Sequence, residues 1–232
     1  LLDLCITELE RLEERTRLLS SMRRGVNPCE ALAFDPTEAL RHIVALRRAG
    51  LELSGTRLTT DLAQPGLRVK GCLHEYASAI LVLIDNAGEA LGTRAGRVHV
   101  ATEFIVDAKM GRVRWFDTWV SDDGPGVPHE VRTRIFSARF TTRPDGAGIG
   151  LAEARSIAES MGGSLELCAP ERGPFASLGS GAVFRLRLPV AGSLDVAMPH
   201  DGLAGRHARY TPPRLRRLGQ IRNWSTVRVE QP

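Results

Sequence analysis

The 232-residue chain lacks several features that would assign it to a class at once. Its four cysteines, Cys5, Cys29, Cys72 and Cys168, include no C-x-x-C pair, which argues against a zinc ribbon or a disulfide framework. They are read as reduced thiols of a cytoplasmic protein. The longest aliphatic run, 79–84, is far too short to span a bilayer, and no basic segment followed by an apolar one opens the chain. No internal repeat and no long low-complexity tract falls within 30–190. The folded part also lacks net charge: the chain carries +4, residues 191–232 hold seven Arg against three acids, and residues 1–190 are therefore balanced. Basicity is a property of the tail. Nucleic-acid binding needs a basic face on the folded surface itself, so no nucleic-acid partner is expected.

What remains is ordinary globular material, 43% hydrophobic and 25% charged, enough for one domain of about 150 residues. The chain opens on Leu rather than Met and reads as a fragment with more sequence upstream. Leu2, Cys5, Leu9, Leu12, Thr16 and Leu19 follow 3,4 spacing among charged residues, predicting a helix with a coiled-coil-like seam over 1–24. Residues 25–34 read as a linker. Asp35 is placed to cap a helix over Pro36–Ala49 that has Pro in its first turn. Strands are expected at Arg57–Leu62 and Leu67–Lys70, then a buried helix over 73–91 with Tyr76, Ile80, Leu83, Ile84 and Ala87 on its apolar face. Further strands follow at Arg97–Ile105, Val113–Ser121, Ser164–Cys168 and Gly181–Leu188, with a helix over 151–161 closed by Gly162-Gly163. From 191 to 232 the pattern fails, and the segment reads as a basic, flexible tail.

Two glycine clusters stand out, Gly124/Gly126 and Gly146/Gly148/Gly150, about twenty residues apart. Glycine lets a ligand approach the backbone closely, so paired clusters suggest two walls of one anionic or nucleotide pocket. Asp122 ends a strand just before the first. Ionised, it only accepts hydrogen bonds, which suits an exocyclic amine such as that of adenine; the competing reading is an Asx-type turn residue. The second cluster precedes a helix start, where unpaired N–H groups and the dipole favour phosphate. Asn86 is either a satisfied core amide or an oxygen ligand for Mg²⁺ on a nucleotide's phosphates.

Taken in order, LVLIDNAGEAL, DDGPGV and IFSARFTTRPDGAGIGLAEARSIAESMGG resemble the N, G1, F and G2 boxes of the GHKL ATP-binding superfamily, in the form found in sensor histidine kinases of the nitrogen-regulation type. The resemblance covers roughly 30–190, and residues 1–24 look like the second helix of a dimerisation and phosphotransfer hairpin. It implies a two-layer α/β sandwich over 35–190, with a mixed, mostly antiparallel sheet and helices on one face. It implies ATP and Mg²⁺ as cofactors, with Asn86 as metal ligand and Asp122 reading adenine. Gly124 and Gly126 would shape the adenine pocket, and Gly146, Gly148, Gly150 and the Leu151 backbone would border the phosphates. Arg143, at the usual Lys position, would meet a terminal phosphate or stand solvated. Phe136 and Phe140 would anchor a lid over 127–147 or simply pack in the core. The implied function is transfer of the γ-phosphate of Mg·ATP to a histidine, with a histidine-bearing hairpin, a response regulator and a second copy of the chain as partners.

Four departures from the family pattern are visible. Val82 stands where hydrolysing relatives have a Glu that activates water, which disfavours gyrase-like or chaperone-like hydrolysis. Val183 replaces a frequent Thr. Glu89 replaces a Lys of some relatives, and a carboxylate there would not aid phosphate binding. No H-E/D-x-x-x-P motif is present, so the phosphoacceptor is expected upstream, on another chain, or lost. A degenerate kinase acting as a nucleotide-binding or docking module is the alternative these departures leave.

Overall fold

The computed structural model describes residues 33–107, 110, 112–143, 146–169, 181–195 and 227–230. The seam helix expected over 1–24 lies outside the described residues. In chain order the elements are β1 (Ala33–Phe34), α1 (Pro36–Leu53), β2 (Thr56–Asp61), β3 (Val69–Lys70), α2 (Leu73–Leu91), β4 (Gly96–Asp107) and β5 (Arg112–Asp122). A 3-10 turn (His129–Val131), α3 (Gly150–Ser160), β6 (Ser164–Cys168), β7 (Val183–Asp195) and β8 (Val227–Glu230) follow.

The strands form a mixed sheet in the order β1-β3-β7-β5-β4-β2, with β6 also on β7 and β8 also on β4. The pairs β2–β4 and β4–β8 are parallel and the others antiparallel. This is the α/β sandwich expected from the sequence. Along β4, Val98, Val100, Phe104 and Val106 join the main core, and Phe116 and Val120 of β5 meet them there. Helices α1, α2 and α3 close that side, and α2 carries the densest contribution: Tyr76, Ala79, Ile80, Leu83 and Ile84 are wholly buried. Each large side chain among these is stabilising by about 1.5–3 kcal/mol. The Tyr76 hydroxyl, which needs a partner once buried, lies 2.8 Å from Thr118 Oγ1 on β5.

The Asp35 cap forms as anticipated, Oδ1 accepting from the Thr37 and Glu38 amides at 2.9 and 3.2 Å. Its other oxygen accepts from the Gly66 amide, which ties the loop before β3 to the start of α1. Helix α1 runs four residues beyond the expected Ala49, through Gly50, because Leu51 finds a packing site against Gly88 of α2. A side chain on Gly88 would meet Leu51 Cδ2 at 2.6 Å.

Two expectations change. Strand β7 continues to Asp195 and Val227–Glu230 pairs in parallel with Phe104–Asp107, so the backbone of the expected tail contributes to the sheet. Alternating Val227 and Val229 supply strand propensity that the arginine-rich composition around them obscures. Cys72, expected as a reduced thiol, is disulfide-bonded. Spacing along a chain does not report which cysteines meet in space.

Candidate nucleotide site

Helix α2 organises the site. Near its C-terminal end, a Cβ on Gly124 would sit 3.7 Å from the Ala90 carbonyl oxygen and 3.6 Å from Leu91. One turn earlier Asn86 and Glu89 meet the lid residue Arg143. A further turn back, Val82 Cγ1 lies 3.1 Å from the position a Cβ would take on Gly150. One glycine of each cluster, Gly124 and Gly150, therefore borders this helix, the two contacts separated along its axis by about 12 Å at 1.5 Å per residue.

Asp122 is the last residue of β5 and is buried, 3% exposed. Its Oδ1 accepts from the Gly124 amide at 2.9 Å and the Ala182 amide at 3.3 Å. Among the described residues Oδ2 takes no hydrogen bond, which leaves it open to a donor from outside. The turn reading of Asp122 is thus met by Oδ1 alone, and any contact with a ligand would fall to Oδ2. Burial pushes its carboxyl up from the ordinary range, and the two amide hydrogen bonds oppose that rise. The adjacent Asp123 instead fastens the end of β5 to β4 and the turn before it. Its Oδ1 accepts from the Arg97 amide at 2.7 Å, its Oδ2 lies 3.5 Å from Arg97 Nε, and its carbonyl accepts from Arg94.

Sequence reasoning missed Gly181 and Ala182. The Gly181 backbone lies so close to Asp122 that a Cβ would sit 1.8 Å from the Asp122 carbonyl oxygen. The available signal is the G-A before β7, which by itself marks only where that strand begins.

The second cluster folds back on the lid. Gly148 has φ +66, and a Cβ there would meet the Arg139–Phe140 peptide at 2.6–2.7 Å. Only glycine meets both demands without strain. Arg139 itself has φ 64, so the lid turns sharply where Gly148 packs on it. A Cβ on Gly146 would run into Thr141 Oγ1, which accepts from the Arg143 amide at 3.1 Å. Phe136 packs edge-on against Phe184 with centroids 6.3 Å apart, and the Arg134 guanidinium lies 4.6 Å from the Phe140 ring centre. Both phenylalanines pack against the core, and between them they hold the lid's base. Gly150 and Leu151 open α3, whose cap residue Ile149 provides no side-chain hydrogen bond to its first amides.

Arg143 is not solvated alone. Its Nη2 donates to Asn86 Oδ1 at 3.0 Å and its Nη1 pairs with Glu89. Two oxygen-bearing side chains on one face of α2 therefore hold a cation. Among the described residues no cluster of three or more His, Cys, Asp or Glu is arranged to hold a metal ion. Asn86 Oδ1, already facing a positive group, is a hard oxygen of the kind Mg²⁺ takes as a ligand.

A strand-borne acceptor, a helix flank and a glycine-hinged lid over a mixed sheet define an ATP-binding domain of the GHKL kind. The family model for the histidine kinase-, DNA gyrase B- and HSP90-like ATPases matches residues 75–192, and the chain belongs to that family. It is 31% identical over 196 residues to the two-component sensor PprA of Pseudomonas aeruginosa, a match covering 79% of this chain and 20% of PprA. The mycobacterial sensor histidine kinase MprB superposes with a TM-score of 0.57 at 25% identity, covering 69% of this chain and 97% of that structure. Full-length ShkA in complex with AMPPNP superposes with a TM-score of 0.57 at 26% identity, covering 74% of this chain and 34% of that one. This chain thus spans about a fifth of PprA and about a third of ShkA. Among the described residues no helix is long and apolar enough to cross a membrane.

Proposed function

We propose that the domain binds Mg·ATP along α2 and presents its γ-phosphate to a histidine on a phosphotransfer hairpin, as the catalytic region of a two-component sensor kinase. Adenine's amine donates to Asp122 Oδ2, with Gly124 and Gly126 forming the adjacent wall. The phosphates reach Gly146, Gly148 and the amides of Gly150 and Leu151 at the start of α3, where the helix dipole favours negative charge. Asn86 contributes the protein oxygen to Mg²⁺, which when bound neutralises charge on the β- and γ-phosphate oxygens. In the transfer, an imidazole nitrogen bonds to the γ-phosphorus while the bond to the β-phosphate oxygen breaks, releasing ADP. Positioning and charge neutralisation supply most of the catalysis in such transfers. The Val82 methyls beside Gly150 offer water no base, which favours transfer over hydrolysis.

The observation that carries this reading is the divided carboxylate of Asp122, one oxygen held by two amides and the other open beside Gly124. That the aligned ShkA structure holds AMPPNP supports the choice of ligand. This reading carries a response regulator and a second copy of the chain as its proposed partners. Isothermal titration with Mg·ADP tests the site: wild type binds and Asp122→Ala binds far more weakly. Equal affinity in the two, or no heat from wild type, would remove the nucleotide assignment. Transfer is tested by label from ATP appearing on a separately supplied hairpin containing its histidine; a protein that binds Mg·ADP but leaves such hairpins unlabelled is a docking module instead.

A further inference from the structure

Arg143 stands where the family pattern puts a cation for phosphate, and here it meets two side chains of α2. Its Nη2 donates to Asn86 Oδ1 at 3.0 Å, and Glu89, one turn on, pairs with Nη1. The guanidinium therefore bridges the lid to α2 through two oxygens spaced i and i+3 on one helix face. The lid's own backbone supports that reach: Thr141 Oγ1 accepts from the Arg143 amide at 3.1 Å and donates to the Arg143 carbonyl at 3.3 Å. The Arg143 and Glu89 side chains are 42% and 38% exposed, so the pair is partly screened and readily exchanged.

We infer that Glu89 is a positioning residue that holds the lid cation on Asn86 when no nucleotide is bound, so that Arg143 and Mg²⁺ compete for one amide oxygen. Two cations on that oxygen would repel each other, and a guanidinium hydrogen-bonded to it takes the approach a metal needs. Arrival of Mg·ATP resolves the competition by giving Arg143 a stronger partner in phosphate oxygen, a charge-assisted contact available only once nucleotide is present. Glu89 thus sets how far the free lid is held in and how strongly nucleotide affinity depends on Mg²⁺. Its carboxylate, unhelpful to phosphate directly, acts through Arg143.

The lid half stands without any nucleotide, whereas the Mg²⁺ half rests on the ATP reading above. Two measurements on wild type, Glu89→Gln, Arg143→Gln and the double variant separate them. The first is hydrogen exchange of lid amides over 137–147 in nucleotide-free protein. Each single variant should speed exchange roughly two- to five-fold, the scale of a lost half-exposed ion pair, and the double variant no further. Unchanged exchange in Glu89→Gln, or effects that multiply in the double variant, overturns the latch. The second is the ratio of ADP affinities with and without Mg²⁺. Glu89→Gln should raise that ratio by a similar roughly two- to five-fold, while an unchanged ratio refutes the competition. If wild type bound ADP under neither condition, the ATP reading would fall and lid exchange would still decide the latch.

Discussion

Gly181 and Asp122 touch through their backbones: a Cβ on Gly181 would lie 1.8 Å from the Asp122 carbonyl oxygen and 2.6 Å from its Oδ1. Replacement by alanine pushes β5 and the start of β7 apart at the point where the carboxylate is aimed. Gly181→Ala should cost about 1–3 kcal/mol, the usual scale for overpacking a tight site, and should weaken Mg·ADP binding as well. Urea denaturation read alongside titration calorimetry checks both; an alanine variant with wild-type stability would show that the contact relaxes freely.

The opposite sign is expected at Gly50, within α1. Nothing lies within 4 Å of a Cβ placed there, and the residue is helical. Gly50→Ala should stabilise the domain by about 0.5–1 kcal/mol through the smaller entropy lost on folding, visible as a higher denaturation midpoint.

Asp122 provides a pH signature. Its native pKa is raised, chiefly by burial, so between the unfolded and native values the native state keeps a proton that the unfolded state has released. Stability therefore falls as pH rises through that window. On the proposed reading nucleotide affinity runs the other way, because an amine donor is best met by the ionised acceptor: Mg·ADP binding should weaken as pH drops from about 7 towards about 4. Calorimetry across that range should show the loss in wild type and a flatter profile in Asp122→Asn, which cannot ionise.

Gly148→Ala tests the lid hinge. The substitution meets both a positive φ and the Arg139–Phe140 peptide, yet the lid around it is largely exposed. Nucleotide affinity should fall at least about tenfold, by analogy with strain of roughly 1–3 kcal/mol at a special backbone position. The denaturation midpoint should fall by no more than the same strain, since the exposed part of the lid can open to relieve it. A variant that binds normally would show that the second glycine cluster does not shape the site.

Much of this was legible in the chain. The 3.6-residue spacing of Tyr76, Ile80, Leu83, Ile84 and Ala87 placed α2 and with it Asn86, and the D-D-G-P-G after an apolar run placed Asp122 at a strand end. Local periodicity and turn chemistry suffice there because each signal lies within one element. Contacts between elements were not legible. Ala182 meets Asp122 across sixty residues of sequence, and Arg143 meets Asn86 across fifty-seven, so neither pairing leaves a local pattern. Glu89 could be recognised as a departure, but its meaning depends on where the lid lies. The pairing of 227–230 with β4 was hidden for the same reason, four strand-forming residues inside a segment whose composition reads as tail.

The placement of Val82, Asn86, Glu89, Ala90 and Leu91 along α2 makes that helix a ruler. The span from the Gly124 end to the Gly150 end is counted in turns of one rod, and loops only cover what the rod has measured out. Adding one residue between Val82 and Ala90 would rotate everything beyond it by about 100°, carrying either Val82 or the Asn86–Glu89 face away from the lid. Surface loops around the site can change length and the site keep its dimensions; this helix cannot gain or lose a residue without moving Val82 out of register with Asn86 and Glu89.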